Sequence, residues 1–374
     1  MINEERILQE FLSLVAIPSE SGQERQLADL LKQKLTELGF AVEEDGAGQP
    51  WGWNTGNLIG RLPGTVNVPA LLLSAHMDTV VPGVGVKPVV RDGLITSSGD
   101  TILGGDDKAG IVAILETLRV ITEQQIPHGP LEVVFTIGEE QGLRGAKGLN
   151  SRQLQAKFGY VLDSSGAPGT IVVQGPAQYQ IEAVVQGRAA HAGMNPEDGI
   201  NAIQVAAQAI ARMKLGRIDE ETTANIGLIE GGQARNIVPE KCYVKGEARS
   251  LNRAKLEAQT QAMCAAFRVA AEEVGAQIDL EVELLYDELA LGEHDEVVKI
   301  AVTAAQRLGW EPKLVKTGGG SDANIFHARG IPTANLGIGM TQVHTTQERI
   351  AVADLVDNAR YLVEIIRLVG EREK

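Results

Sequence analysis

Cysteine is almost missing from this chain of 374 residues: Cys242 and Cys264 are the only two, and neither lies in a Cys-x-x-Cys or Cys/His cluster. That excludes a disulfide scaffold and a thiolate zinc site, and leaves two thiols expected to be buried. Basic blocks are missing too. With 34 lysines and arginines against 49 aspartates and glutamates, the formal charge is -15. This argues against nucleic acid or an anionic membrane as a partner and suits a bound cation. No apolar run approaches the roughly 20 residues that cross a bilayer; IVAILETL is representative of the longest. The opening MINEERILQEFLSLVAIPSE carries acids where a secretory leader needs bases, and its apolar positions recur at helical spacing, so a cytoplasmic location is expected. There is no internal repeat, no low-complexity tract and no G-x-x-x-x-G-K-S/T phosphate loop, which removes the main signal of a nucleotide-binding module.

What is present fits a large soluble protein. The length exceeds what one core usually serves, so two domains are expected, and a hydrophobic fraction of 44% can fill both. The spacing predicts helices over about 3–16 and 22–38, then AVEEDG and NLIGRLPG as strands closed by glycine turns. PALLLSAHMDTV is a dense apolar run that suits a central strand covered on both faces, with His76 and Asp78 at its exit. A helix over 108–123 follows the GGDD turn. LEVVFTIGEE is a second buried strand that stops at Glu139 and Glu140, and YVLDSSG repeats the arrangement with Asp163. This alternation predicts a layered α/β/α domain with a mixed sheet, whose strand ends deliver acids and histidine. Near residue 177 the texture changes to strand, helix (199–214), strand, strand, helix (253–275), strand, the pattern of an α+β ferredoxin-like unit. The expected organisation is a discontinuous catalytic domain of residues 1–176 and 288–374, interrupted by an inserted unit at 177–287.

The strand ends carry the chemistry. Zinc takes imidazole nitrogen and carboxylate oxygen, and a catalytic site keeps one position open. Asp78, two residues beyond His76 in SAHMDTV, projects to the same side of an extended segment and can fix the imidazole tautomer. Asp106 and Asp107 lie between a glycine turn and a helix, where a carboxylate caps the helix; capping needs one acid, and Asp106 is the choice for bridging two metals. Adjacent acids at Glu139 and Glu140 repel unless positive charge lies nearby. Because neighbouring side chains diverge, one can bind metal while the other serves as general base. Asp163 and His344, the latter in GMTQVHTTQER, complete a ligand set. Each segment alone also has a plain alternative: a polar strand end, a cap, a solvated turn or a surface histidine.

Taken in order, these segments resemble the di-zinc peptidase family that contains peptidase T, carboxypeptidase G and succinyl-diaminopimelate desuccinylase. GGDDKAG and GEEQGLRGAK look closest to peptidase T-like proteins. The resemblance implies that His76 and Asp163 hold one zinc, Glu140 and His344 the other, and that Asp106 bridges them. Cobalt or manganese also suits such a mixed site. It implies Glu139 as base, Asp78 as the residue orienting His76, and an inserted unit that makes a homodimer and closes over substrate. His191, in GRAAHAGMNPEDGINAI, is then expected to stabilise the oxyanion, either within its own chain or from the partner protomer. Asn236 and Arg249 match substrate-binding positions, the arginine as a carboxylate partner. The glycine loop is usually Arg-Gly-Gly-Thr-Asp in peptidase T-like proteins; here it reads Thr317-Gly318-Gly319-Gly320-Ser321-Asp322, so Gly319, Gly320 and Ser321 are left to contact substrate without the arginine. The implied reaction is amide hydrolysis of short peptides from an open α-amino end. Carboxypeptidase or N-acyl amino acid amidohydrolase activity is the alternative at the same metals. His128, His294 and His327 match no motif.

Overall fold

The computed structural model describes residues 2–373, which fall into two compact units: Met1–Val173, Ala290–Lys316 and Ser321–Lys374 form one, Gln174–Leu289 and Thr317–Gly320 the other. In the first unit the helix Glu4–Val15 is capped by Asn3, whose side chain accepts from the Arg6 amide at 3.0 Å. Its apolar stripe of Ile7, Phe11, Leu14 and Val15 is fully buried. The next helix is Arg25–Glu37. It begins later than the spacing predicts because Gly22 turns the chain at a left-handed φ of 84°.

The sheet of this unit runs Ala41–Glu44, Leu58–Leu62, Leu131–Thr136, Leu71–His76, Phe158–Ser164, Thr333–Gly337, Thr170–Gly175 before its far edge. The first three strands pair antiparallel. From Leu131–Thr136 through Leu71–His76 and Phe158–Ser164 to Thr333–Gly337 the pairing is parallel. Both Leu71–His76 and Leu131–Thr136 are buried at every position, as strands covered on two faces must be. The four parallel strands therefore discharge their carboxyl ends along one edge, the place where open α/β sheets build their sites.

The second unit is a five-stranded antiparallel sheet with helices Ala202–Arg212 and Arg253–Glu272. Its four long strands, Ala177–Gln186, Thr222–Gly231, Lys241–Ser250 and Gln277–Tyr286, lie in the spatial order second, third, first, fourth, the ferredoxin-like order. Each helix starts at an asparagine cap, Asn201 or Asn252. Cys242 packs with Val185, Ala206 and Phe267, while Cys264 packs with Leu256 and Met263. Both thiols are free and buried.

Some elements go beyond the sequence reading. Pro88–Arg91, Leu94–Ser97 and Arg349–Ala351 form a small separate sheet, and Arg144–Gly148 and Asp322–Ala328 are short helices. Among the described residues no helix is long and apolar enough to cross a membrane.

Candidate metal centre

The edge of the parallel strands gathers His76, Asp78, Glu139, Glu140 and Asp163. Asp106 arrives from the start of the helix Gly105–Glu123, and His344 from the loop that follows Thr333–Gly337. In the GGDD turn the two acids divide the work. Asp107 accepts from the Gly110 amide at 3.2 Å and from the His76 amide at 3.2 Å, so it both caps the helix and ties it to the strand. Asp106 has non-helical backbone angles. Its carboxylate reaches both imidazoles: Oδ1 lies 3.1 Å from His76 Nε2 and Oδ2 3.3 Å from His344 Nε2. Glu140 meets His344 Nε2 at 2.9 Å. Two overlapping groups have ligand atoms mutually within 4.8 Å, namely His76, Asp106 and Glu140, and His76, Glu139 and Asp163.

Asp78 does more than the sequence suggests. Its backbone carbonyl lies 2.9 Å from His76 Nδ1, closer than its carboxylate at 3.4 Å. The carboxylate instead accepts from the amides of Glu139 (2.9 Å) and Glu140 (3.2 Å) and from the Ser21 hydroxyl (2.7 Å). One residue thus fixes the imidazole tautomer and the turn that carries both glutamates. On the outer side of that turn, the Trp53 indole packs against Gly22 and Gly138, and a methyl group added at either glycine would overlap the ring.

The electrostatics follow from crowding acids in little water. Burial, reinforced by repulsion from Asp163, pushes the Glu139 carboxyl far above its usual range. Asp163 rises through burial and the charge of Asp106, although both groups keep some surface exposure. The imidazoles respond oppositely. Burial disfavours a charged His76, but hydrogen bonds to Asp106 and Asp78 outweigh it and hold the ring well above its ordinary value. Hydrogen bonds to Asp106 and Glu140 raise His344 from 6.5 to about 10. A raised imidazole value stabilises the fold fully below the unfolded value and loses that contribution as pH climbs through the folded one. In chelator-stripped protein, the melting temperature of wild type over His344→Gln is therefore expected to be greatest below pH 6.5 and to close as pH approaches 10. Solvent around the half-exposed ring keeps the difference modest. A gap that widens with pH would contradict this pairing.

The remaining residues singled out from the sequence lie mostly in the second unit. His191 is exposed, and its Nδ1 accepts from the amides of Gly193 (3.2 Å) and Met194 (3.1 Å). This places the ring proton on Nε2. Asn236 is also exposed, and its carbonyl receives the Ala192 amide at 3.0 Å. The Arg249 guanidinium makes two bonds to Glu247, at 2.9 and 3.1 Å, which occupies much of its carboxylate-binding face. Gly319 donates its amide to Thr317 Oγ1 at 3.2 Å. Gly320 is required for space, since a Cβ there would collide with the Tyr286 ring. Ser321, in the first unit, is buried and caps the helix Asp322–Ala328, with Asn324 closing the capping box.

Residues 72–368 match the model of peptidase family M20/M25/M40, well over half of the chain. The chain belongs to that family. The uncharacterized protein YqjE of Bacillus subtilis (strain 168) is 47% identical over 366 residues, 98% of this chain and 99% of that protein. The crystal structure of aminopeptidase PepT from Bacillus cereus ATCC 10987 is 47% identical and superposes with a TM-score of 0.89, covering 98% of this chain and 99% of that one. A tripeptidase from Staphylococcus aureus subsp. aureus Mu50 is 46% identical with a TM-score of 0.94, covering 99% and 100%.

Several residues supporting the site in this M20 chain escape sequence reasoning. Asp322 is buried beneath the strand ends, accepts from the Thr136 hydroxyl at 2.6 Å, and is raised to about 6 by burial; its Oδ1 has no hydrogen-bond partner. Asn335 holds Asp163 at both backbone groups, donating to its carbonyl at 2.8 Å and accepting from its amide at 3.0 Å. Glu348, four residues beyond His344 in HTTQER, is a third such residue.

Proposed function

We propose that the protein is a two-zinc aminopeptidase of the peptidase T-like kind, which removes residues from the open amino end of short peptides, tripeptides foremost. The observation that carries this reading is the convergence of two imidazoles and four carboxylates, His76, His344, Asp106, Glu139, Glu140 and Asp163, at the carboxyl ends of parallel strands in an M20 chain. Its 46–47% identity to an aminopeptidase and a tripeptidase supports the choice of substrate.

The donors fit divalent cations by their chemistry: neutral imidazole and carboxylate oxygen are the ligands of catalytic zinc, and acids this crowded call for positive charge. His76 and Asp163 are assigned to one ion, Glu140 and His344 to the other, and Asp106 to both. When bound, such a pair of ions supplies Lewis acidity that polarises a carbonyl and acidifies water. Glu139 is the general base: it takes a proton from the attacking water as the oxygen bonds to the carbonyl carbon, then delivers it to the amine nitrogen as the C–N bond breaks. Asp78 keeps Glu139 in place through its amide. His191, protonated at Nε2, is assigned to donate to the developing oxyanion, in a homodimer formed through residues 177–287 with residues 1–176 and 288–374 carrying the catalysis. Asn236, Gly319 and the free edge of Arg249 are assigned to substrate, and Ser321 to the cap that supports them. We place the enzyme in the cytoplasm.

The test is hydrolysis of one tripeptide in three forms, free, amino-blocked and carboxyl-blocked, by protein whose metal content is measured alongside. Cleavage of the free and carboxyl-blocked forms, with loss only on amino-blocking and about two zinc ions per chain, is the expected result. Cleavage that survives amino-blocking but not carboxyl-blocking would make the enzyme a carboxypeptidase or an acyl-amino acid amidohydrolase. Protein that retains no divalent metal would remove the whole reading.

A further inference from the structure

We infer that Glu348 is a positioning residue that locks the His344 loop onto the Asp106 turn and thereby sets cation affinity at the position bounded by Asp106, Glu140 and His344. The inference rests on the metal-site reading above and concerns a residue with no place in that ligand set.

Glu348 is 1% exposed. Its Oε2 accepts from the amides of Leu103 at 2.9 Å and Gly104 at 2.8 Å, and its Oε1 from the amide of Asp106 at 2.9 Å. The turn that presents these N–H groups passes through Gly104 at a φ of 75°. Amides converging around such a left-handed residue form a concavity that favours an anion, and Glu348 supplies that anion from more than 240 positions away in sequence. One of the three amides belongs to Asp106 itself.

The segment that carries His344 is braced internally. Thr341 and Arg349 exchange backbone hydrogen bonds of 3.0 and 3.1 Å at its base. The Thr345 hydroxyl donates to the Gln342 carbonyl at 2.7 Å and accepts from the Gln347 amide at 3.1 Å. Gln342 and His344 both take left-handed φ values, 56° and 63°. A loop stiff in itself still needs an anchor to fix where its tip points. His344 is half exposed and touches the site through Nε2 alone, so packing does not place it. The three charge-assisted bonds at Glu348 do. They join the base of the loop to the turn bearing Asp106, and so fix the separation between the two residues that must share a cation.

Glutamine at position 348 turns one acceptor oxygen into a donor facing an amide, which leaves that N–H unpaired and the loop loosened. The experiment is calorimetric titration of chelator-stripped, full-length protein with zinc, for wild type, Glu348→Gln, His344→Ala and the double variant. Wild type is expected to take two ions. Glu348→Gln is expected to keep one tight ion and to bind the other about 10- to 100-fold more weakly, the usual cost of losing a partner that orients a ligand. The double variant should bind no more weakly than His344→Ala, because Glu348 acts through His344. Two ions bound by Glu348→Gln with wild-type affinity would overturn the proposal. So would a weakening in the double variant that adds in full to that of His344→Ala, the mark of independent effects. If circular dichroism shows Glu348→Gln to be unfolded, Glu348→Asp, which keeps the charge and shortens the reach, is titrated under the same two criteria. A wild type and His344→Ala with identical isotherms would instead sink the ligand assignment itself, an outcome visible without any change at position 348.

Discussion

Replacing Glu139 by alanine is expected to lower kcat on a free tripeptide by roughly 100- to 10,000-fold, the range over which a positioned general base contributes, while two ions per chain remain bound. The split between chemistry and metal binding follows from the architecture. The Glu139 amide is held by Asp78 and its neighbour Glu140 faces His344, so loss of one side chain leaves the turn and the second ion's ligands in place. KM should change little, because the carboxylate acts on the proton and not on substrate binding. The assay is steady-state kinetics with metal analysis of the same sample. If the variant loses metal in step with activity, Glu139 is a ligand and the base must be sought elsewhere.

Asp106→Asn should strike both. Its two oxygens face the two imidazoles at 3.1 and 3.3 Å, and an amide nitrogen in place of either oxygen presents a donor where an acceptor is required. Metal content is expected to fall from two ions toward zero, and activity by at least about a thousand-fold, the rate equivalent of the several kcal/mol that Lewis-acid stabilisation supplies. The fold should survive, since the backbone of the turn is held by Glu348 and the helix start by Asp107. Elemental analysis and far-ultraviolet circular dichroism together decide it. Retention of both ions with full activity would show that Asp106 bridges nothing.

Much of this was legible in the sequence, for a physical reason. A strand buried on both faces is predominantly apolar, so LLLSAH and LEVVFT announce themselves, and the polar and charged residues that follow such a run stand out against it. The ferredoxin-like alternation from Ala177 to Tyr286 is equally local. What stayed hidden is non-local. The sheet that joins Leu94–Ser97 to Arg349–Ala351 unites segments some 250 positions apart, and neither is long enough to carry a period of its own. Asp322, Asn335 and Glu348 bind hydroxyls and backbone amides of distant turns; in a linear text they look like any polar residue in a loop. Asp78 was expected at the imidazole, yet its carboxylate lies mainly on the Glu139 and Glu140 amides, because an acid two residues past His76 also faces the next strand's exit. Ser321, expected to contact substrate, has its side chain engaged as the cap of the helix Asp322–Ala328, a role that a serine after glycines and before an Asp-Ala-Asn run can equally take.

The Trp53 indole seated between Gly22 and Gly138 has a bearing on how this sequence can diversify. Gly138 opens the turn that bears Glu139 and holds a left-handed φ of 55°, while Gly22 begins the segment that leads into the Arg25–Glu37 helix. A larger residue at either position must displace the ring, and a smaller residue at position 53 leaves a hollow behind the base. The three sites can drift only in concert. A descendant lineage that trades the tryptophan for something slighter gains room at the glycines, although their left-handed backbone still admits few other residues, and one that keeps it inherits all three as a single character.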